Sequence, residues 1–314
     1  REMLTYYKEQ GALPMSVDDA VTMMKPNYDN YCFSENKLAD CMFNSDMVLY
    51  CMKSLILHGV KPKEIVDPNI RTDFNKLAYL VRLDHGLGEN FSVIKEIAEQ
   101  GEIVTEIVTH FSALEMTDVG NFKSLLFYFG LLSIKGVDMM GRPILHIPNL
   151  VVREQLFNFL IQGYARHDIF KLDVNRLRTL FENMSFKGDW KPMFEFLAEA
   201  IREQSRIREY IEGEAHIKGF LLAYLSMFRY YQLYPEYEMN KGFADFFFKP
   251  SPAAPVSPPY TYLLEVKYAK AGASEKEIRA LADDAREQLI RYSKDECVAE
   301  AREKGGLKLT TIVW

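Results

Sequence analysis

The sequence predicts an α+β protein, a helical N-terminal region followed by a segment ordered α-β-β-β-α-β, and three observations lead there. Apolar side chains recur at helical spacing over most of the first 204 residues, as at Met47, Val48, Tyr50, Cys51 and Leu55. From about residue 205 a helical stretch gives way to three runs dense in aromatic and aliphatic residues, at 234–239, 243–248 and 260–268. A second amphipathic helix and an apolar strand at 307–314 then close the chain.

In chain order, residues 1–60 read as short helices with polar joints, and Pro62 and Asp67-Pro68-Asn69 mark a loop. Residues 71–115 read as further helix, with Leu77, Leu80, Val81, Ile94, Ile97, Ile103 and Val104 as its apolar positions. A helical stretch at 122–132 leads into Ser133-Ile134-Lys135, a turn with Gly136 and Gly141, and the apolar run Pro143-Ile144-Leu145-His146-Ile147-Pro148. Helix, hairpin and helix in that order suggest a winged-helix-like unit near 117–152. Residues 151–204 read as amphipathic helix broken around 185–189, and a long helix is expected from about Ile207 to Tyr231. Five of the 13 prolines fall in 249–259, which excludes a central strand there. Ser274 with Glu277 three residues later forms a capping box, and Ile278, Leu281, Ala282, Ala285 and Leu289 continue a helix from it. The expected divisions are 1–116, a helical region; 117–204, a helical or winged-helix-like connector; and 205–314, the mixed segment.

Composition bounds the function. With 48% hydrophobic and 26% charged residues, and 21 Phe and 18 Tyr, the chain of 314 residues has ample core material for globular domains. Its net charge is −6, so the basic footprint of many nucleic-acid binders is absent from the whole. Residues 205–314, however, carry 16 Lys+Arg and 16 Asp+Glu, so that segment is neutral. Nucleic acid remains an admissible partner, with attraction that is modest and aided by a bound cation. Cys32, Cys41, Cys51 and Cys297 form no CxxC pair, which argues against a structural zinc or a dense disulfide framework and for reduced thiols. No apolar run approaches the roughly 20 residues of a membrane span, and Arg1-Glu2-Met3-Leu4 opens no signal peptide. A cytoplasmic protein with no membrane partner is expected, its sequence beginning inside a longer chain.

The chemistry concentrates in Asp245 and in Glu265-Val266-Lys267. Glu265 and Lys267 are two apart on a strand and share a face. If the neighbouring strand pairs with it, one acid from each strand and one lysine converge. Two carboxylates suit a hard divalent ion such as Mg²⁺, and a lysine beside them can orient water or steady charge on phosphorus. Those parts fit metal-assisted hydrolysis of a phosphodiester. The tripeptide alone is weak, since Glu35-Asn36-Lys37 and Asp189-Trp190-Lys191 have the same form, and a cross-strand salt bridge on a solvated face is the plain alternative.

Four stretches stand around it in order: Gly213-Glu214-Ala215-His216-Ile217-Lys218-Gly219-Phe220; Asn240-Lys241-Gly242-Phe243-Ala244-Asp245; Leu264-Glu265-Val266-Lys267; and Gln288-Leu289-Ile290-Arg291-Tyr292. This succession resembles the PD-(D/E)XK nuclease superfamily over about 205–314. More narrowly, it resembles the C-terminal nuclease-like domain of bacterial AAA-ATPase-like proteins common in Bacteroidetes. The resemblance implies a restriction-endonuclease-like core and Mg²⁺ or Mn²⁺ held by Asp245 and Glu265. It also implies Lys267 as catalytic lysine, with Glu214 and Gln288 completing the site. Tyr292 is a weaker carry-over, and Lys218, where relatives carry His or Gln, receives no role. Some relatives have Gly-Arg-x-Asp where this chain has Gly242-Phe243-Ala244-Asp245, which puts any substrate contact of that arginine in doubt.

Tyr28-Asp29-Asn30-Tyr31-Cys32-Phe33-Ser34, Phe43-Asn44-Ser45-Asp46 and Asp67-Pro68-Asn69-Ile70-Arg71-Thr72-Asp73 resemble the segment after the nucleotide-binding core of those proteins. No GxxxxGK[ST] stretch occurs, so this chain is not expected to hydrolyse ATP, and an ATPase core outside it is an expected partner. Arg71 and Asp73 could serve such a core, an ordinary salt bridge being the plainer reading.

Other residues carry less. The six histidines, at 58, 85, 110, 146, 167 and 216, lack zinc-protease spacing, and His216 reads as a helix-surface residue near Glu214. No GxSxG appears. Phe246-Phe247-Phe248 and Phe127-Tyr128-Phe129 read as core rather than as stacking surfaces for bases. The expected function is a divalent-metal-dependent nuclease acting on DNA. The alternatives are a catalytically silent nuclease-like module that binds nucleic acid or protein for an ATPase partner, and a regulatory helical adaptor.

Overall fold

The computed structural model describes residues 1–62, 66, 89–166, 169–204, 207, 213–240, 242–252, 254, 256–270 and 272–314. Arg71, Asp73, His85, His167, Leu77, Leu80, Val81 and the Asp67-Pro68-Asn69 loop lie outside the described residues. The chain divides into two compact units, 1–163 and 164–314. Helices and two sheets among the described residues make it an α+β protein.

The first unit opens with α1 (Glu2–Glu9), α2 (Val17–Tyr28) and α3 (Ser45–His58). Their ends follow local chemistry. Ser16 accepts from the Asp19 N–H to start α2, Asn44 accepts from the Met47 N–H to start α3, and Gly59, at φ 66°, closes α3 in the left-handed conformation that glycine adopts without steric cost. Next come α4 (Glu89–Gln100), β1 (Glu102–Val104), α5 (Val119–Tyr128), β2 (Ser133–Val137), β3 (Pro143–His146) and α6 (Leu150–Arg166), which ends in the second unit. The three strands form an antiparallel sheet in the order β1-β3-β2. Helix, hairpin and helix thus follow one another as expected. The hairpin tip is tied by Asp138, whose carboxylate accepts from the N–H groups of Met140 and Arg142.

Two expectations fail here. Ile103 and Val104 belong to β1 rather than to a helix, because Ile103 pairs with Leu145 and Val104 with Ile144. Tyr128 and Phe129 are exposed at the end of α5, where the buried face formed by Phe122, Leu125, Leu126 and Phe127 runs out.

The second unit holds α7 (Val174–Lys187), α8 (Lys191–Glu203), α9 (Glu214–Leu225), β4 (Tyr231–Met239), β5 (Gly242–Pro250), β6 (Thr261–Lys267), α10 (Glu275–Tyr292), α11 (Ala299–Glu303) and β7 (Leu307–Val313). The four strands form one sheet in sequence order, antiparallel except for the parallel β6–β7 pair, and α10 lies in the crossover that joins those two. The helix expected to reach Tyr231 ends at Leu225, and Tyr231 already pairs with Pro250. The reason is the aromatic sequence after the helix. Tyr231 packs on Phe248 and Tyr262, a contact that its place in the sheet supplies. The capping box forms as read, with Ser274 and Glu277 exchanging hydrogen bonds.

β5 and β6 are buried on both faces. Phe246, Phe247 and Phe248 are all core, as are Leu263 and Leu264. On one face Phe247 and Leu263 pack with Met239, Ala244, Leu289, Tyr292 and Val298. Each such aromatic side chain contributes about 1.5–3 kcal/mol by leaving water, so these two strands form a rigid base for the polar residues at their ends.

Candidate functional site

Strand alternation brings the acids together. The β5–β6 ladder runs through Phe248↔Tyr262, Phe247↔Leu263 and Phe246↔Leu264 and stops there. One step further the backbone pairing is replaced by side chains. The Val266 N–H donates to Asp245 Oδ2 at 2.7 Å, and the Asp245 N–H lies 3.5 Å from Glu265 Oε2. The two strands therefore part at the acids, and the carboxylates fill the gap.

Both carboxylates are buried, Asp245 with 4% and Glu265 with 2% of its surface exposed. Burial, then the charge of Asp245, pushes the Glu265 carboxyl up to about 7. Burial also raises Asp245, against the pull of Lys218. Two oxygen-donor acids held together out of water form a site short of positive charge.

Two ammonium groups answer that shortage. Lys267 Nζ lies 3.1 Å from Glu265 Oε1, 3.5 Å from Gln288 Oε1 and 3.6 Å from Asp284 Oδ2. Gln288 in turn donates to Asp284 at 2.7 Å, one turn away on α10. Burial works to lower the Lys267 ammonium, but these acids outweigh it and hold the group more firmly protonated than a free lysine. Lys218 Nζ lies 2.5 Å from Asp245 Oδ1 and 3.0 Å from both Glu214 Oε1 and Glu236 Oε1. Here too burial is overcome by the carboxylates, and the ammonium is stabilised in its charged form.

The structure thus brings Asp245, Glu265, Lys267 and Gln288 together directly, and joins Glu214 to them through Lys218. It turns Tyr292 into the core instead, beside Leu289 and Met239. The ring lies so close to Gly242 that a β-carbon there would sit 2.5 Å from the Tyr292 hydroxyl oxygen.

Of three further polar residues in the cluster, sequence reasoning gives Lys218 no role and does not single out Asp284 or Glu236. Lys218 and Asp284 carry a readable signal, four residues after Glu214 and four before Gln288. Glu236 carries none. It sits across from Asp245 in the β4–β5 register, between the pairs Pro235↔Phe246 and Tyr237↔Ala244. It also adopts φ 44°, a left-handed conformation that costs a residue with a β-carbon on the order of 1 kcal/mol.

Hard oxygen donors that are buried and in excess suit a divalent cation, and Asp245 and Glu265 could supply them. Among the described residues no three His, Cys, Asp or Glu side chains are themselves arranged around a metal position. Glu214, Glu236 and Asp245 converge instead on the Lys218 ammonium.

Residues 212–314, a stretch that includes α9 through β7, match the family model described as the PD-(D/E)XK nuclease superfamily. The segment is thus similar to a superfamily whose members are in general hydrolytic and typically use divalent metals. No curated protein and no solved structure matches the chain. Among the described residues no helix is long and apolar enough to cross a membrane.

Proposed function

We propose that the second unit is a divalent-metal-dependent phosphodiesterase that hydrolyses DNA. The observation that carries this reading is the buried Asp245–Glu265 pair with Lys267 on it, held where β5 and β6 part, inside a segment that matches a nuclease superfamily. Asp245 and Glu265 would hold Mg²⁺ or Mn²⁺. Such an ion, when bound, supplies a Lewis acid for a phosphate oxygen and lowers the pKa of a coordinated water.

The protein's own groups do the rest. Lys267 stays protonated among Glu265, Asp284 and Gln288, so it acts as a fixed positive charge and hydrogen-bond donor toward charge growing on phosphorus. Gln288 and Asp284 aim it, since α10 carries both one turn apart. Glu214 steadies Lys218 from α9. We read the nuclease as one working with an AAA-ATPase-like core in a bacterial cytoplasm, a proposal supported by the N-terminal motif resemblance.

The test is incubation of the whole chain with plasmid DNA and Mg²⁺ or Mn²⁺, beside Glu265→Ala and Lys267→Ala. Nicking or linearisation by the wild type alone supports the assignment. Equal cleavage by all three proteins removes it. A parallel single-stranded RNA substrate distinguishes DNA from RNA preference.

A further inference from the structure

We propose that Lys218 is a tethered cation that competes with a divalent metal ion for Asp245, so that metal loads only when the Lys218 ammonium leaves that carboxylate. The inference rests on the reading of Asp245 and Glu265 as a metal pair and concerns how that pair is regulated.

Three features carry it. First, Lys218 contacts the same carboxylate that would hold the metal, through Oδ1, while the other oxygen, Oδ2, is committed to the Val266 N–H. Oδ1 is therefore the oxygen of Asp245 without a backbone hydrogen bond, and Lys218 lies on it. Second, the ammonium is surrounded by acids from three elements: Glu214 on α9, Glu236 on β4 and Asp245 on β5. These three carboxylates hold the ammonium beside the metal pair and offset its charge of +1. Third, an alternative place for the lysine exists. Glu214 and Glu236 are more exposed than Asp245, their side chains at 41% and 58%, so Lys218 can remain paired with them while giving up Asp245. The left-handed backbone of Glu236 directs its carboxylate to this lysine from the strand position opposite Asp245.

The consequence is a metal threshold. A divalent ion must outbid an ammonium held at high effective concentration by the chain itself. Lysine offers an ion of half the charge, so the exchange favours the metal only above a set concentration.

The experiment measures Mn²⁺ binding to the full chain by electron paramagnetic resonance, with wild type, Lys218→Met, Lys218→Arg and Asp245→Asn. Lys218→Met is expected to bind Mn²⁺ at least about tenfold more tightly than wild type, because the displaced partner is gone, while Lys218→Arg keeps a competing charge and stays near wild type. Asp245→Asn is expected to lose this binding. Mn²⁺ binding that depends on Asp245 but is equal or weaker in Lys218→Met overturns the competition and leaves the metal pair standing. Binding absent from both wild type and Lys218→Met, or insensitive to Asp245→Asn, overturns both. Amine acylation of the wild type, read by mass spectrometry, tests the idea without any variant. Modification of Lys218 is expected to rise severalfold when Mn²⁺ is added, and unchanged modification overturns the proposal.

Discussion

The Asp245 carboxylate accepts a hydrogen bond from the backbone N–H of Val266 at 2.7 Å, so an acid on β5 is fixed by the strand that carries Glu265. One side-chain oxygen does the work of a missing ladder bond, and the positions of the two acids depend on each other.

This relationship separates two substitutions. Asp245→Ala leaves the Val266 N–H without its partner, takes from Lys218 the most buried of its three carboxylates, and is expected to cost about 2–4 kcal/mol of stability. Asp245→Asn keeps an acceptor for Val266 and is expected to cost at most about half as much. Urea unfolding of both in metal-free buffer measures the difference. Equal losses would show that the Val266 bond does not organise the site.

Lys267 is expected to act as charge, not as a proton acceptor. Lys267→Met should lower cleavage of plasmid DNA by about 10²–10³-fold, the usual scale for removing one electrostatic donor from a transition state. It should leave Mn²⁺ binding in place, since Asp245 and Glu265 remain. Single-turnover cleavage and Mn²⁺ titration on the same preparation check the two halves. Loss of Mn²⁺ binding in this variant would move Lys267 from the chemistry to the organisation of the ligands.

Gly242 is required by close packing. In Gly242→Ala the new methyl group meets the Tyr292 hydroxyl at 2.5 Å and its ring at 3.0–3.1 Å, at the start of β5 and the end of α10. The expected cost is about 1–3 kcal/mol. Tyr292→Phe removes the nearest atom, so the double variant should lose less than Gly242→Ala does alone. Thermal or urea unfolding of the four proteins of the cycle gives the coupling, and strict additivity would contradict the contact.

In the first unit, His146 gives stability a pH dependence. Burial, followed by Lys135, holds its imidazolium down to about 4 against an ordinary 6.5, with Glu102 opposing and Arg153 adding to the shift. Between those values the unfolded chain takes up a proton that the folded one refuses. Acidification from pH 6.5 to about 4 therefore favours unfolding, and the stability is fully present above pH 6.5. His146→Gln should flatten the profile in that window by on the order of 2 kcal/mol. Parallel curves for wild type and variant would rule His146 out as the cause.

Features that rest on neighbours along the chain were legible before any fold was known. The Ser274–Glu277 capping box needs only a three-residue spacing, and the helix it opens is where it was expected. Glu265 and Lys267 were readable as partners because a strand returns every second side chain to the same face, and they meet at 3.1 Å. Their link to Asp245 needed one further assumption, that β5 and β6 pair, which they do.

What the sequence by itself determined was the α+β class, the order of elements in the second unit, and which acids and which lysine could share a face, because these follow from periodicity and local hydrogen bonding. Only the tertiary structure decided the rest. Ile103 and Val104 become a strand because β3 lies beside them. The β5–β6 ladder stops at Phe246↔Leu264, which lets the Asp245 carboxylate reach the Val266 N–H. Glu236 joins the site through a cross-strand register and a left-handed backbone, and Lys218 joins because three separate elements place carboxylates around it. Contacts of that kind depend on where distant segments come to lie, and no spacing along the chain records them.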